Sequence, residues 1–275
     1  MEYAAPEPLE DAAYLFDGSL EGLLSAIFQS YARHEAPADI VAADRYRPRL
    51  GQSAIAVDTD FSQARRVRAG IQRAAGRAGF RWVLEASLCD DYAMGAKVHR
   101  FVRHLMEREA AGAGGPRVLD DLAHPAVAPV AALRTEVLNE AEKMRQFIRF
   151  SHLQNGIWFA RCKPSASVIP LVIGHFAQRF NDQPFLIYDE AHRISGIYDG
   201  DSWYLAAGKA EAPAAPTARD RQMQEAWCCF YDALCVDARY NPELRRNFMP
   251  KRLWEHLPEM QPRSPGLRHS RDISR

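Results

Sequence analysis

Residues 147–162 read FIRFSHLQNGIWFARC, and their pattern indicates how the second half of the chain folds. Polar and apolar side chains alternate before Asn155, and the run from Ile157 to Cys162 is rich in aromatic and β-branched residues. An Asn-Gly pair between two such runs is the strongest short-range signal of a β-hairpin. The sequence therefore predicts two antiparallel strands that meet at Asn155-Gly156.

The residues that follow extend this hairpin into a β-β-α-β-β unit. Pro170 stands where the first turn of a helix would begin, which predicts a helix over Pro170 to Phe180. Strands are predicted at Pro184 to Tyr188 and Ile194 to Tyr198, and Trp203 to Ala206 is a further candidate. We predict an α+β fold with a helical N-terminal half and, in the C-terminal half, an antiparallel β-β-α-β-β sheet unit covered by helices.

The stretch AAGAGGP, Ala110 to Pro116, is the best candidate for a domain boundary because its glycines and proline end a predicted helix. It separates a region 1–110, α-rich with short strands, from an α+β region 117–260. Residues 261–275 are predicted to be a disordered tail. In the first region, strands are predicted at 14–16 and 53–57, and helices at 20–31, 61–78 and 81–109.

Composition narrows the class of protein. With 47% hydrophobic and 25% charged residues, the chain can bury a substantial core. Its apolar runs are far shorter than the roughly 20 residues of a membrane span, and its acidic start is unlike a signal peptide, so we expect a cytoplasmic protein without a membrane segment. The five cysteines are odd in number and lack the spacing of a zinc or iron–sulfur site. We therefore expect no disulfide framework, no metal and no cofactor.

Charge is unevenly distributed although the formal net charge is zero. Acidic residues dominate residues 1–40, where Arg33 is the single Lys or Arg. Basic residues dominate two later segments, which contain Arg65, Arg66, Arg68, Arg73, Arg77 and Arg81, and then Arg245, Arg246, Lys251 and Arg252. This asymmetry permits contact with a polyanion, although a solvated helix face is the commoner cause of a charge run.

Four segments carry a family resemblance. They are YLFDGSLEGLLSAIFQSY (14–31), FIRF (147–150), IPLVIGHFAQRF (169–180) and NPELRRNFMPKRLW (241–254). In these segments the chain resembles the DUF4130 family, bacterial proteins of DNA metabolism encoded beside a radical SAM protein assigned to DNA repair or modification. The resemblance covers about 14–260, with a core at about 87–260, and relatives also occur fused to a uracil-DNA-glycosylase-like domain. It implies a role in DNA repair and a radical SAM partner.

One segment departs from the family pattern. Residues 140–144 read EAEKM, where relatives are expected to carry a histidine in an E-x-H-K-M segment. The departure weakens the case for a catalytic role at this position.

Two groups of residues are candidates for catalysis. His175 and Arg179 lie four residues apart on one helix face, where they could meet a phosphate or a flipped base; the alternative is a partly buried histidine beside a surface arginine. Asp189 and His192 follow a predicted strand and could bind a divalent metal. Turn chemistry explains the same two residues, so no metal is predicted.

The nucleic-acid contacts predicted from sequence are basic residues with an interleaved aromatic: Arg149, Arg179, Arg239, Arg245, Arg246, Lys251, Arg252 and Trp254. Arginine and lysine can contact phosphates of any sequence, and an aromatic ring can stack on an unpaired base. The alternative is that Phe248, Trp254 and Leu257 pack on the sheet and leave the basic residues in water. If DNA binds the second half, its basic side chains should share one face of the sheet.

The chain lacks a GxxxxGK[ST] loop, a GxGxxG after a strand and a GxSxG elbow. The missing motifs argue against an autonomous NTPase, dehydrogenase or hydrolase. We therefore predict an accessory protein of DNA repair or modification that binds nucleic acid through its basic C-terminal and Arg-rich N-terminal surfaces and acts with a radical SAM partner. The alternatives are a DNA-processing enzyme, of nuclease or glycosylase type, centred on His175, Asp189 or His192, and a protein–protein adaptor.

Overall fold

The computed structural model of the chain describes residues 7–212, 214–234 and 241–262. The chain divides into two compact units, of residues 1–138 and 139–275. The predicted boundary at Ala110 to Pro116 lies inside the first unit, where the Gly115 N–H donates to the Ala74 carbonyl at 2.7 Å. The predicted tail begins at residue 261, and its residues 263–275 lie outside the described residues.

The first unit is built around a three-stranded parallel sheet. Its strands are β1 (Glu7–Phe16), β2 (Glu35–Ala42) and β3 (Ser53–Ala56), in the order β2-β1-β3. Helix α1 (Leu20–Ala32) connects β1 to β2, as parallel pairing requires a crossover. The sequence did not predict β2, because its acidic residues and proline resemble a loop, yet Ile40 and Val41 are buried.

Two long helices follow β3 in this unit. Helix α2 (Phe61–Ser87) has a kink at Gly76, whose φ is +68°, and α3 (Met94–Ala110) follows after a short turn. The sequence predicted the division between these helices near residue 80. It lies instead at 88–93, where the Asp91 carboxylate accepts the Ala93 N–H at 2.7 Å and so stabilises a turn ahead of α3.

The second unit contains the predicted β-β-α-β-β unit with one further strand. Helix α4 (Ala128–Phe147) leads into it, and the remaining elements are β4 (Ser151–His152), β5 (Trp158–Cys162), α5 (Ile169–Arg179), β6 (Phe185–Asp189), β7 (Ile194–Tyr198), β8 (Trp203–Ala207), α6 (Ala218–Ala233) and α7 (Pro242–Phe248). The sheet order is β4-β5-β6-β7-β8. The α+β fold class is confirmed.

The strand pairing is antiparallel except at one position. Strands β5 and β6 are parallel, because α5 crosses over between them, and the Asn155-Gly156 hairpin joins β4 to β5 as predicted. The first hairpin strand has only two residues, since Phe147 still belongs to α4 and the Ile148 N–H donates to the Met144 carbonyl. Helix α5 packs on the sheet, where Ile169 and Ile173 leave no room for a side chain at Gly196.

In the described parts of the chain, no helix combines the length and apolar character needed to cross a membrane.

Candidate nucleic-acid interface

His175 and Arg179 both lie on the exposed face of α5. The His175 ring meets Phe176 edge to face at a centroid distance of 5.3 Å, and the Arg179 guanidinium lies 5.7 Å from the centre of the Phe180 ring. Phe176 belongs to the aromatic cluster beneath the helix and is buried. The two side chains are therefore at the surface, on one face, as the helical spacing predicts, and a ligand can reach both.

Asp189 lies at the end of β6 and is fully buried. One carboxylate oxygen accepts the N–H groups of Ala191 and His192, at 2.9 and 3.1 Å, and the other lies 2.6 Å from His192 Nδ1. The same aspartate therefore stabilises the turn and orients the imidazole. A histidine oriented by a carboxylate in this way can act as a general acid or base, provided that a substrate reaches its Nε2.

Further polar groups gather at the same edge of the sheet, where the parallel strands β5 and β6 both end. Glu190 forms an ion pair with Arg161 at 3.3 Å, and its other carboxylate oxygen lies 3.2 Å from His256 Nε2. Burial, followed by the charges of Asp189, Glu190 and Glu140, raises the pKa of Cys162 well above its usual value. A neutral, buried thiol is a poor nucleophile, which favours a packing role for Cys162.

Arg252, predicted to contact nucleic acid, is instead engaged inside the unit. Its guanidinium binds the buried carboxylate of Glu140 and donates to the Lys163 carbonyl at 3.3 Å. Glu140 also accepts the Ser165 N–H at 3.0 Å. Glu140 is the first residue of the EAEKM segment, and its role here is structural.

Sequence reasoning missed Glu140 although a signal was present. Val137, Ala141 and Met144 are all buried, and Glu140 lies at helical spacing among them. A carboxylate on the buried face of a helix needs a cationic or hydrogen-bonding partner. The pattern could have predicted an internal ion pair, but it does not identify Arg252 as the partner.

Arg149 is also held within the unit. Its guanidinium pairs with the buried carboxylate of Glu259 at 2.8 Å, donates to the Gln146 carbonyl at 2.8 Å, and lies 5.5 Å from the centre of the Trp227 ring. Its charge is largely neutralised by Glu259. The geometry gives Arg149 a carboxylate partner inside the unit, and the phosphate contact stays a prediction from sequence.

The remaining basic residues of the C-terminal segment differ in exposure. Arg245 lies over the Trp254 ring at 5.1 Å, and Trp254 donates its Nε1–H to the Met249 carbonyl at 3.0 Å. Arg246 and Lys251 are exposed, whereas Arg239 lies outside the described residues. The alternative stated above, in which Phe248, Trp254 and Leu257 pack on the sheet, is observed in part.

Of the three residues expected to pack, Leu257 is buried and Trp254 is partly buried, but Phe248 is 71% exposed. The basic side chains of the second unit therefore differ in their partners. Arg149 and Arg252 pair with internal carboxylates, whereas Arg246 and Lys251 are exposed.

The clearest basic surface lies on α2 in the first unit. We use the name arginine face for the six exposed arginines of α2, which are Arg65, Arg66, Arg68 and Arg73 before the kink at Gly76 and Arg77 and Arg81 after it. Arg81 lies 3.8 Å from Glu85, the only acidic residue of the helix; within the described residues, no carboxylate lies within ion-pair distance of the other five. Arg66 and Arg68 lie over the rings of Phe28 and Phe80, at 4.8 and 4.7 Å.

No cluster of three or more histidine, cysteine, aspartate or glutamate side chains suited to a metal ion occurs among the described residues.

A family model matches residues 94–259, which is more than half of the chain, and its description is "Domain of unknown function (DUF4130". The chain therefore belongs to the DUF4130 family. The match runs from the start of α3 through the whole sheet of the second unit, and it does not include β1, α1 or the arginine face. No curated protein matches the chain.

Proposed function

We propose that the protein binds nucleic acid through the arginine face of α2 and serves as an accessory protein in DNA repair or modification. The observation that carries this proposal is the set of five exposed arginines on α2 without an ion-pair partner among the described residues. Arginine side chains on one helix can neutralise successive backbone phosphates without reading the base sequence. The proposal predicts binding that weakens steeply as salt is added.

The test removes three positive charges from the arginine face. A variant with Arg65→Gln, Arg73→Gln and Arg77→Gln should bind duplex DNA more weakly, and the slope of log K against log[salt] should become less negative by about 3 because each lost phosphate contact contributes about 1. These three arginines stack on no aromatic ring among the described contacts, so the fold should persist. Fluorescence anisotropy with labelled DNA over a range of salt concentrations measures both quantities.

The matched control removes three exposed positive charges from the second unit, by Arg179→Gln, Arg246→Gln and Lys251→Gln. This variant has the same net charge as the first, so a general charge effect would weaken both variants equally. We expect the control to keep its affinity within about twofold and its salt slope within about 0.5 of the parent. Equal loss in both variants, or no binding of DNA at low salt, would contradict the proposal.

The radical SAM partner is part of the same proposal and is supported by the family resemblance. The protein holds no cysteine set with the spacing of an iron–sulfur cluster, so the partner would supply that chemistry. Co-purification of the cluster-bearing protein with the tagged chain, kept when Arg65, Arg73 and Arg77 are replaced, tests the partnership separately from DNA binding.

A second candidate function, DNA processing, is supported by the pair Asp189 and His192. The 2.6 Å contact orients the imidazole as a general acid or base requires. If the protein cleaves DNA or releases a base, His192→Gln should lower the rate by about 100-fold or more, whereas His175→Gln should change it little. Incubation of labelled DNA with the protein, with and without divalent metal, measures this, and equal activity in both variants would exclude His192.

A further inference from the structure

A groove of about 530 Å³ opens on the second unit between α6 and the β4-β5 edge of its sheet. Its volume falls within the range of sites that hold a small organic molecule or one nucleotide. Aromatic and aliphatic side chains dominate its walls, with Trp158 on β5 and Trp227 and Met223 on α6. It lies on a different unit from the arginine face, so the two sites can be tested independently.

The walls of the groove leave apolar surface open to solvent. Trp227 is 39% exposed and Met223 is 61% exposed, although both are large apolar side chains. Along α6, only Asp220 and Cys228 are buried. A helix that exposes large apolar groups beside a groove is typical of a binding surface.

Both tryptophans are fixed by a second flat group. The His152 ring lies against Trp158 at a centroid distance of 4.8 Å with an angle of 33°, and the Arg149 guanidinium lies 5.5 Å from the centre of the Trp227 ring. Because Arg149 is itself held by Glu259, the position of the Trp227 ring is supported before any ligand binds. Rings fixed in this way form a platform on which another planar ring can stack.

The polar groups of the groove indicate which planar ring it takes. Gln224 uses both amide hydrogens, donating to Ser151 Oγ at 2.9 Å and to Asp220 Oδ2 at 2.7 Å. Its Oε1 therefore remains as an acceptor, with no donor among the described residues. Arg219 lines the groove, is exposed and makes no ion pair within the described part of the chain. A ligand with a planar ring, an amino group at its edge and a phosphate nearby would satisfy all three features.

We infer that the groove binds one unpaired nucleobase of a single-stranded nucleic acid, with its ring stacked on Trp227, its exocyclic amino group donating to Gln224 and its backbone phosphate near Arg219. The inference rests on the proposed function for the class of ligand and adds the strand preference. A base inside a duplex is stacked on both faces and cannot enter. Adenine, which carries an exocyclic amino group, is favoured over thymine, which has none.

The test compares short oligo(dA), oligo(dT) and the duplex formed from them. Oligo(dA) should quench tryptophan fluorescence and bind more tightly than oligo(dT), and Trp227→Ala should lower its affinity by about tenfold or more. The duplex should bind the variant as it binds the parent. Trp203→Ala is the matched control, since Trp203 is 47% exposed but does not line the groove, and it should leave both affinities unchanged.

A second variant guards against misfolding of Trp227→Ala. Met223→Glu adds a negative charge at a 61% exposed position in the groove and should repel the phosphate, with a loss of oligo(dA) affinity of about tenfold. Leu122→Glu adds the same charge at a 58% exposed position in the first unit and should have little effect. Circular dichroism confirms that each variant is folded.

The outcomes separate the two proposals. If Trp227→Ala and Met223→Glu bind oligo(dA) as the parent does, while the arginine-face variant still loses duplex binding, the groove inference is wrong and the proposed function stands. If Trp227→Ala lowers oligo(dA) binding but the arginine-face variant leaves duplex binding unchanged, the groove inference stands and the proposed role of the arginine face is wrong. If Trp227→Ala affects only self-association, measured by sedimentation, the groove binds protein and the inference is overturned.

Discussion

Arg252→Ala is expected to lower the free energy of unfolding by about 3 kcal/mol, because it leaves the buried carboxylate of Glu140 without its main counter-charge. Lys143, at 3.8 Å from the same carboxylate, is too distant to replace a direct hydrogen bond. The Ser165 N–H would remain as a neutral donor. Urea unfolding followed by tryptophan fluorescence measures the change.

The adjacent Lys251→Ala serves as control, since Lys251 is exposed and its loss should change stability by less than about 0.5 kcal/mol. The double variant Glu140→Leu, Arg252→Met should recover much of the lost stability, because both charges leave the interior together. If Arg252→Ala kept full stability and lost DNA binding instead, the residue would be a phosphate contact after all.

Stability should also fall as the pH is lowered below about 6.5, because of the buried His99 of the first unit. Burial, followed by the charges of Arg103 and Arg100, lowers the pKa of His99 to about 4. Between pH 6.5 and about 4 the unfolded chain binds a proton at this imidazole and the folded chain does not, so acid favours unfolding. The contribution is fully present above pH 6.5, and about 2 kcal/mol of it should be lost by pH 5.

The hydrogen bond between His99 and Ser30 indicates which substitution of His99 tests this prediction. Ser30 Oγ donates to the Ile27 carbonyl at 2.7 Å, so His99 Nε2 is the donor in its 2.9 Å contact with Ser30. His99→Gln keeps a donor but cannot titrate, and its unfolding free energy should vary less between pH 7 and 5 than that of the parent. His34→Asn, at an exposed position with φ of +56°, should retain the parent's dependence.

Comparing the pH dependence of unfolding in His99→Gln and in the parent separates the contribution of His99 from that of other histidines. His104, stacked on His124 at 3.8 Å, also has a lowered pKa, caused by burial and by the charge of His124, and it contributes in the same direction. Both variants retain this contribution. An unchanged pH profile in His99→Gln would show that His99 is protonated without unfolding.

Much of the second unit could be predicted because its signals are local. The Asn155-Gly156 turn, the first turn of α5 with Pro170 and the strands β6 and β7 depend on residues within a few positions of each other. Strand β2 could not be predicted, since its pairing partner β1 lies more than twenty residues earlier and its composition resembles a loop. The parallel pairing of β5 with β6 likewise follows from the path of α5 and not from either strand.

The same distinction between local and long-range information applies to the candidate nucleic-acid contacts. Amino-acid sequence determined which side chains could contact a phosphate, and the structure leaves the arginines of α2 exposed on both sides of the kink at Gly76. Tertiary structure decided which cations remain available, because Arg149 and Arg252 meet the buried carboxylates of Glu259 and Glu140 more than a hundred residues away in the chain. A charge pattern depends on residues close together in the sequence, whereas neutralisation of a charge depends on which carboxylate the fold brings within a few ångströms.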